Sequence, residues 1–262
     1  MSRIAAAFSQ LKRAGKHGLI PFITAGDPNL ETTGELLVEL AAAGAAVIEL
    51  GVPFSDPMAD GPVIQRASER ALRQGIALSA VLDTAARARS RMDVPIVLFS
   101  YYNPLLQYGL NRLSADARDA GIDGVLVTDL TPEEAGGLSS ALRTSELDMI
   151  FLVAPTSTND RLKLIAGKAS GFIYAVSRAG VTGVQTDISE AAEKLVERVR
   201  QFSDLPVAVG FGISDAVQVA QTWSYADAAV VGSAIVAEIE QCAGSLETVQ
   251  RVGRFTRNLF PL

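Results

Sequence analysis

Cysteine and histidine are nearly missing from this chain of 262 residues: Cys242 is the single cysteine and His17 the single histidine. A lone cysteine excludes an internal disulfide and a thiolate metal cluster. A lone histidine leaves neither a His-ligated metal site nor a Ser-His-Asp triad enough to work with. His17 precedes the first apolar run and reads as a surface residue. No apolar run reaches the roughly 18–20 residues that cross a bilayer. The N-terminal stretch MSRIAAAFSQLKRAGKHG also lacks a signal-length apolar core, so the expectation is a soluble, cytoplasmic protein. Positive charge is in deficit: 23 Lys and Arg against 29 Asp and Glu give a net charge of −6 and a pI near 4.9. That balance argues against nucleic acid or an anionic membrane as the main partner.

What is present is ordinary for a globular chain, with 48% hydrophobic and 20% charged residues. The length allows two domains, yet an α/β barrel uses about 250 residues as one. Short β-rich apolar runs recur at Leu19–Thr24, Ala46–Gly51, Pro95–Ser100, Gly124–Thr128, Met149–Ala154, Phe172–Val176, Pro206–Gly210 and Ala228–Gly232. Continuous apolar runs, in place of strict alternation, suit parallel strands covered on both faces. Helical spacing over Leu30–Ala43 ends at Gly44, a C-cap. Thr131-Pro132-Glu133-Glu134 predicts a helix start, with a cap and a proline in its first turn. Ser189–Phe202 and Ser245–Leu259 predict two more helices.

Eight strand-then-helix units without a linker predict one α/β domain over 1–262, a (β/α)8 TIM barrel. An open doubly wound sheet stays the structural alternative, because strand order is not visible in a sequence. Ser2–Ala14 predicts an extra N-terminal helix, and the long segment Val52–Gly75 separates the second strand from its main helix. Long loops in a compact domain are usually functional, and in a barrel the loops after the strands build the active site.

Among these strand interiors one carboxylate stands out. Glu49 sits in Val47-Ile48-Glu49-Leu50-Gly51, and none of the eight runs carries a Lys or Arg to pair with it. An unpaired buried charge is expensive. A structural ion pair therefore loses ground to a desolvated carboxyl with a raised pKa, suited to general acid–base work. Asp60 follows in the loop Asp56-Pro57-Met58-Ala59-Asp60-Gly61-Pro62. On its own it is a turn residue, but the loop leaves the strand of Glu49, so both acids can face one pocket. Asp129, at the end of the fourth run, divides between a third acid and a residue that orients a loop.

Three glycine-bearing turns follow late strands: Gly180-Val181-Thr182-Gly183, Gly210-Phe211-Gly212 and Gly232-Ser233-Ala234. Barrels often bind phosphate with the loops after strands 7 and 8 and the N-terminus of a short extra helix, which Ser233–Gln241 could form. No Lys or Arg occurs from Gly212 to Glu240, so backbone N–H groups and a helix dipole are the available donors for a dianion. The residues alone thus point to an acid–base enzyme acting on a small phosphorylated substrate, by proton transfer and C–C or C–O cleavage.

The segment Ile48-Glu49-Leu50-Gly51-Val52-Pro53-Phe54-Ser55-Asp56-Pro57-Met58-Ala59-Asp60-Gly61 resembles the signature of tryptophan synthase α subunits. The resemblance runs nearly end to end, through Pro21-Phe22-Ile23-Thr24-Ala25-Gly26-Asp27-Pro28, Ser177–Gly183, Gly210–Ile213 and Gly232–Val236. It departs at Asp129-Leu130-Thr131-Pro132, where the family would place proline directly after Asp-Leu. The resemblance implies retro-aldol cleavage of indole-3-glycerol phosphate to indole and glyceraldehyde 3-phosphate, with Glu49 as acid and base. Asp60 would hold the indole N–H and stabilise charge developing on the ring. Phe22, Phe99, Tyr101, Leu126, Tyr174 and Phe211 would pack the indole and propanol parts, though each equally suits the barrel core, Phe99 and Leu126 most of all. Gly183, Gly212, Gly232 and Ser233 would take the phosphate.

It further implies an α2β2 heterotetramer, with pyridoxal phosphate only in the β subunit and none in this chain. The partner would meet Asp56, Pro57 and the Asn103-Pro104-Leu105 loop. Ser177–Ile188 would be a lid that orders with substrate and brings Thr182 toward Asp60. Three alternatives remain open at this point: a stand-alone lyase releasing free indole, a non-catalytic barrel regulating a β subunit, and another phosphosugar barrel. Intact Glu49 and Asp60 weigh against the second, and the motif segment and missing histidines against the third.

Overall fold

The eight apolar runs form eight parallel strands that pair in sequence order and close, the last against the first. A computed structural model describes residues 1–176, 186–210 and 212–261. The elements follow one another as α1 (Arg3–Arg13), β1 (Gly18–Thr24), α2 (Leu30–Ala42), β2 (Ile48–Gly51), α3 (Pro62–Leu72), α4 (Leu78–Arg89) and β3 (Ile96–Ser100). Next come α5 (Tyr102–Tyr108), α6 (Leu110–Asp119), β4 (Gly124–Val127), α7 (Gly136–Thr144), β5 (Asp148–Val153), α8 (Asn159–Ala166) and β6 (Ile173–Val176). The chain ends with α9 (Thr186–Arg200), β7 (Val207–Gly210), α10 (Ala216–Trp223), β8 (Ala228–Val231), α11 (Ser233–Gln241) and α12 (Thr248–Asn258). This is a (β/α)8 TIM barrel, with α1 as the extra N-terminal helix and α11 as the short helix after β8. Closure of β8 onto β1 rules out the open sheet.

The strands read as unbroken apolar runs because each of their faces meets a different core. Ile48 and Leu50 point outward into the shell between strands and helices, while Val47 faces the interior of the barrel. Glu49 alternates with Ile48 and Leu50, so it faces inward too, in register with Phe22 of β1 and Val97 of β3. The interior is filled by Ile20, Val97, Leu126, Ile150, Phe172 and Val230 among others. Its lower end is plugged by α1, whose Ile4 and Phe8 lie four residues apart on one helical face. Ser2 caps that helix, accepting from the Ala5 N–H, and its hydroxyl donates to Asp148 at 2.6 Å. Arg3 reaches Asp123 at 2.9 Å, so α1 is latched across the barrel floor at its N-terminal end.

Three expectations about local structure are corrected. Nearly half of Val52–Gly75 is helix α3, started by Pro62 in the first turn, so the true loop is short and ends at Asp60-Gly61. Thr131–Glu134 forms a turn closed by the Ala135 N–H on the Thr131 carbonyl at 3.0 Å, and α7 begins only at Gly136. The Asn103-Pro104-Leu105 segment is no loop but the first turns of α5, with Pro104 early enough to lose no helical hydrogen bond. Thr182, Gly183, Phe211 and all of the expected lid but Thr186–Ile188 lie outside the described residues; those three open α9.

Candidate active site

Glu49 is 1% exposed, near the upper end of β2, and burial alone pushes its carboxyl up to about 8. Among the described residues its Oε1 is buried without a hydrogen-bond partner, as is the hydroxyl oxygen of Thr24. Thr24 shares the inward face with Phe22, one layer higher on β1, and pairs with Gly51 above Glu49. Among the described residues, these two buried atoms near the mouth of the barrel, one a carboxyl oxygen and one a hydroxyl, have no protein counterpart. Such atoms are rare in native interiors and call for an explanation; a polar ligand arriving between them supplies one. The sequence reading missed Thr24, because a threonine at a strand end is unremarkable until its hydroxyl is seen to point inward.

Asp60 stands on the loop that leaves β2. Its Oδ2 accepts from the Tyr101 hydroxyl at 3.1 Å, and the same hydroxyl accepts from the Ala59 N–H at 2.9 Å. Burial raises the Asp60 carboxyl to about 6, against the opposing pull of the Tyr101 bond. Burial first, and the Asp60 charge second, push the Tyr101 phenol above its usual range. Tyr101 therefore pins the loop as well as lining the site, a role that side-chain type alone does not reveal. The two acids are thus poised apart: near neutral pH Glu49 holds its proton and Asp60 has lost its own. Such a split assigns acid and anion roles to two carboxyls in one site.

Aromatic rings wall the space between these acids. Phe22 meets Phe99 edge-on, with ring centroids 5.1 Å apart. Tyr174 is buried, and its phenol is raised by burial and by the charges of Glu49 and Asp60. Two glycines make the rings fit. A Cβ on Gly51 would lie 2.6 Å from the Phe22 ring, and one on Gly210 would lie 2.1 Å from the Tyr174 oxygen. Leu126 is fully buried in the inner core, whereas Phe99 lines a cavity of about 430 Å³ with Asp60, Thr128, Leu152 and Val176. Asp129 takes the orienting role, accepting from the Tyr102 N–H at 2.7 Å at the start of α5.

Across the mouth, α11 starts at Ser233, with Gly232 as its cap residue and neither a side-chain cap nor an acid in its first turn. A helix start leaves N–H groups without intrahelical acceptors and carries partial positive charge. Ser233 is exposed there, and Gly232 lies over Phe22, where an added Cβ would sit 3.5 Å from the Phe22 Cβ. Gly212 is exposed with φ +84°, a conformation that favours glycine, and among the described residues other than its chain neighbours nothing lies within 4 Å of where its Cβ would be. The anion-attracting end of α11 and the two acids therefore flank the same aromatic floor.

On the outer rim, Asp56 is exposed and Pro57 half-buried, beside Met58 at 84% exposure. On α5, Asn103 is exposed, but Leu105 is fully buried in the outer core, and Leu106 presents the apolar surface instead. A larger cavity, about 750 Å³, opens at the opposite end beside α1. Two of its three acids are engaged there, Asp148 by Ser2 and Asp227 by the Val207 N–H and Arg200. Barrel chemistry belongs to the other end. His17 is exposed at that floor, stacked on Trp223 with Nδ1 2.9 Å from the Ala226 carbonyl oxygen. Among the described residues no three His, Cys, Asp or Glu side chains gather as a metal site, and no helix is long and apolar enough to cross a membrane.

Comparison with known proteins bears on this geometry. The profile of the family described as "Tryptophan synthase alpha chain" matches residues 8–259. A tryptophan synthase alpha chain of Solibacter usitatus is 50% identical over 259 residues, 99% of this chain and 97% of that one. That of Geotalea uraniireducens is 48% identical over the same spans. Among solved structures, tryptophan synthase subunit alpha of Legionella pneumophila superposes with a TM-score of 0.91 at 37% identity, covering 99% of this chain and 97% of that chain. An aminoacrylate-bound tryptophan synthase of M. tuberculosis gives 0.88 at 36% identity, covering 99% and 98%.

Proposed function

Because this chain belongs to the tryptophan synthase alpha chain family, lyases that cleave indole-3-glycerol phosphate, we propose that Glu49 and Asp60 carry that cleavage here. The observation behind the assignment is the orphaned, desolvated carboxyl of Glu49 facing the Asp60 loop. Protonated Glu49 gives its proton to indole C3, and the positive charge that results on the ring is stabilised by ionised Asp60. The Glu49 carboxylate then takes the proton of the hydroxyl on the adjoining carbon. The C–C bond breaks, its electron pair returns to the ring, and indole and glyceraldehyde 3-phosphate leave with Glu49 reprotonated.

In this reading Phe22, Tyr101 and Tyr174 hold the indole and propanol parts, and Gly212, Gly232 and Ser233 receive the phosphate. The place of Thr182 between Gly180 and Gly183 in the sequence assigns it to Asp60, the likeness to the family assigns Gly183 to the phosphate, and Phe211 joins the packing. The exposed rim at Asp56, Pro57, Met58 and Asn103, with Leu106 in place of buried Leu105, faces a β subunit in an α2β2 assembly. That subunit, not this cytoplasmic barrel domain of 1–262, carries pyridoxal phosphate. Two of the five large apolar side chains most exposed among the described residues, Met58 and Leu106, lie on this rim, which supports a docking partner.

The test is cleavage of indole-3-glycerol phosphate by the purified chain. Glu49→Gln is expected to lower kcat by at least about 10²-fold while substrate still binds. Asp60→Asn keeps a hydrogen-bond acceptor but loses the charge, and is expected to lower kcat more than it raises KM. Glu49→Gln turnover within about threefold of the parent would remove Glu49 from the mechanism. Repeating the assay with a β subunit should accelerate the parent chain; an unchanged rate would favour a stand-alone lyase.

A further inference from the structure

Arg70, on α3, holds two carboxylates that belong to different parts of the barrel. Its Nε and Nη2 donate to the two oxygens of Asp27, each at 2.8 Å, and its Nη1 donates to Glu240 at 2.6 Å. Arg66, one turn earlier, donates to both oxygens of Glu240 at 2.8 and 2.7 Å. The Asp27 side chain has no exposed surface and sits in the turn after β1. Bonds from Arg66 and Arg70 hold the Glu240 carboxyl down at about 2. The planar guanidinium fork matches a carboxylate in a way a lysine ammonium does not.

The three elements joined here are those that carry the site. Helix α3 continues the Asp60 loop, and Gln65 on it donates to the Asp60 carbonyl at 2.8 Å. Glu240 lies in the last turn of α11, about 10 Å along the axis from Ser233 at its start. Asp27 ends the turn that leaves β1, the strand of Phe22. We propose that Arg70 is a positioning residue that sets the distance between the two ends of the substrate site. By clamping Asp27 and Glu240 it fixes the start of α11 relative to Asp60 and the aromatic floor. The proposal rests on the reading that Gly212, Gly232 and Ser233 take the phosphate.

A spacing role makes a demand that a merely stabilising one does not. Each half of a ligand should still bind when Arg70 is lost, but a ligand spanning both halves should suffer, because its two ends no longer meet their sites together. The test measures Kd by titration calorimetry or NMR, well below Tm, for glycerol phosphate, for indole-3-propanol and for indole-3-propanol phosphate, which spans both ends. In Arg70→Met the joined ligand is expected to weaken about tenfold or more, with each fragment within about threefold. Arg70→Lys should recover only part of the loss. Should Arg70→Met fold poorly, Glu240→Gln, which leaves the Arg70–Asp27 pair intact, should show the same pattern more weakly. Equal weakening of all three ligands, or of none, would overturn the proposal. Glycerol phosphate that binds the parent but is unaffected by Gly232→Val would instead overturn the phosphate reading, and the proposal with it.

Discussion

Glu49 and Asp60 are both carboxyls raised by burial, yet they end on opposite sides of neutrality, at about 8 and about 6. The difference lies first in burial, complete at Glu49 and partial at Asp60, and then in the hydrogen bond that Asp60 receives from Tyr101, for which Glu49 Oε1 has no counterpart among the described residues. In the proposed mechanism the reactive form of the free chain has Asp60 ionised and Glu49 protonated. The plot of kcat/KM against pH should therefore be a bell, rising through about 6 and falling through about 8. Rates measured from pH 5 to 9 check this, and Tyr101→Phe should move the acid limb upward by removing the bond that holds Asp60 down. An acid limb unmoved by that change would separate it from Asp60.

At the level of strands and helices, the site depends on glycines that leave room for rings on the neighbouring strand. Gly210 of β7 faces Tyr174 of β6, which pairs with Ala208 two residues before it. Adding a methyl there places it 2.1 Å from the phenol oxygen and 2.7 Å from the ring, so Tyr174 must turn or the strands must part. Overpacking of this kind typically costs about 1–3 kcal/mol. Gly210→Ala is expected to lower both Tm and kcat/KM, and adding Tyr174→Phe, which removes the nearest clashing atom, should recover part of each. Strictly additive losses in the double variant would show that the two positions do not touch. The helices divide the barrel in the same way: α1 contributes Ile4 and Phe8 to its floor, with Phe8 5.8 Å from Phe172, and so closes the end opposite the candidate site.

For the whole molecule, the same carboxyl that we propose serves the reaction weakens the fold at high pH. Glu49 titrates near 4.5 in an unfolded chain and near 8 in the folded one. Between those values the folded protein keeps a proton that the unfolded chain has lost, so stability is full below about 4.5 and declines as pH rises through about 8. Every pH unit that separates the two titrations corresponds to about 1.4 kcal/mol, which makes the decline a few kcal/mol. Glu49→Gln removes the titration, so thermal unfolding should show the variant gaining on the parent as pH rises from 5 to 9. A constant difference in Tm across that range would place the burden elsewhere.

The barrel was legible in the amino-acid string because parallel strands covered on both faces need continuous apolar runs, and eight such runs alternate with helical spacing. Glu49 was legible for a related reason, as a lone carboxylate in a run that offers no cation. Helix ends set by proline were harder. Pro62 and Pro104 both sit early in real helices, but a proline inside a turn-like string reads equally well as a loop. Thr24, Gly51 and Gly210 were invisible as parts of the site, since their roles consist of which neighbouring strand they face and at what distance. Register across strands is a property of closure, and closure joins β8 to β1 across nearly the whole chain. The Asp27–Arg70–Glu240 clamp, whose members lie 43 and 170 residues apart, belongs to the same class. Local periodicity and composition decide which segments become strands and helices; which side chains meet at the mouth depends on long-range packing that no short window of sequence contains.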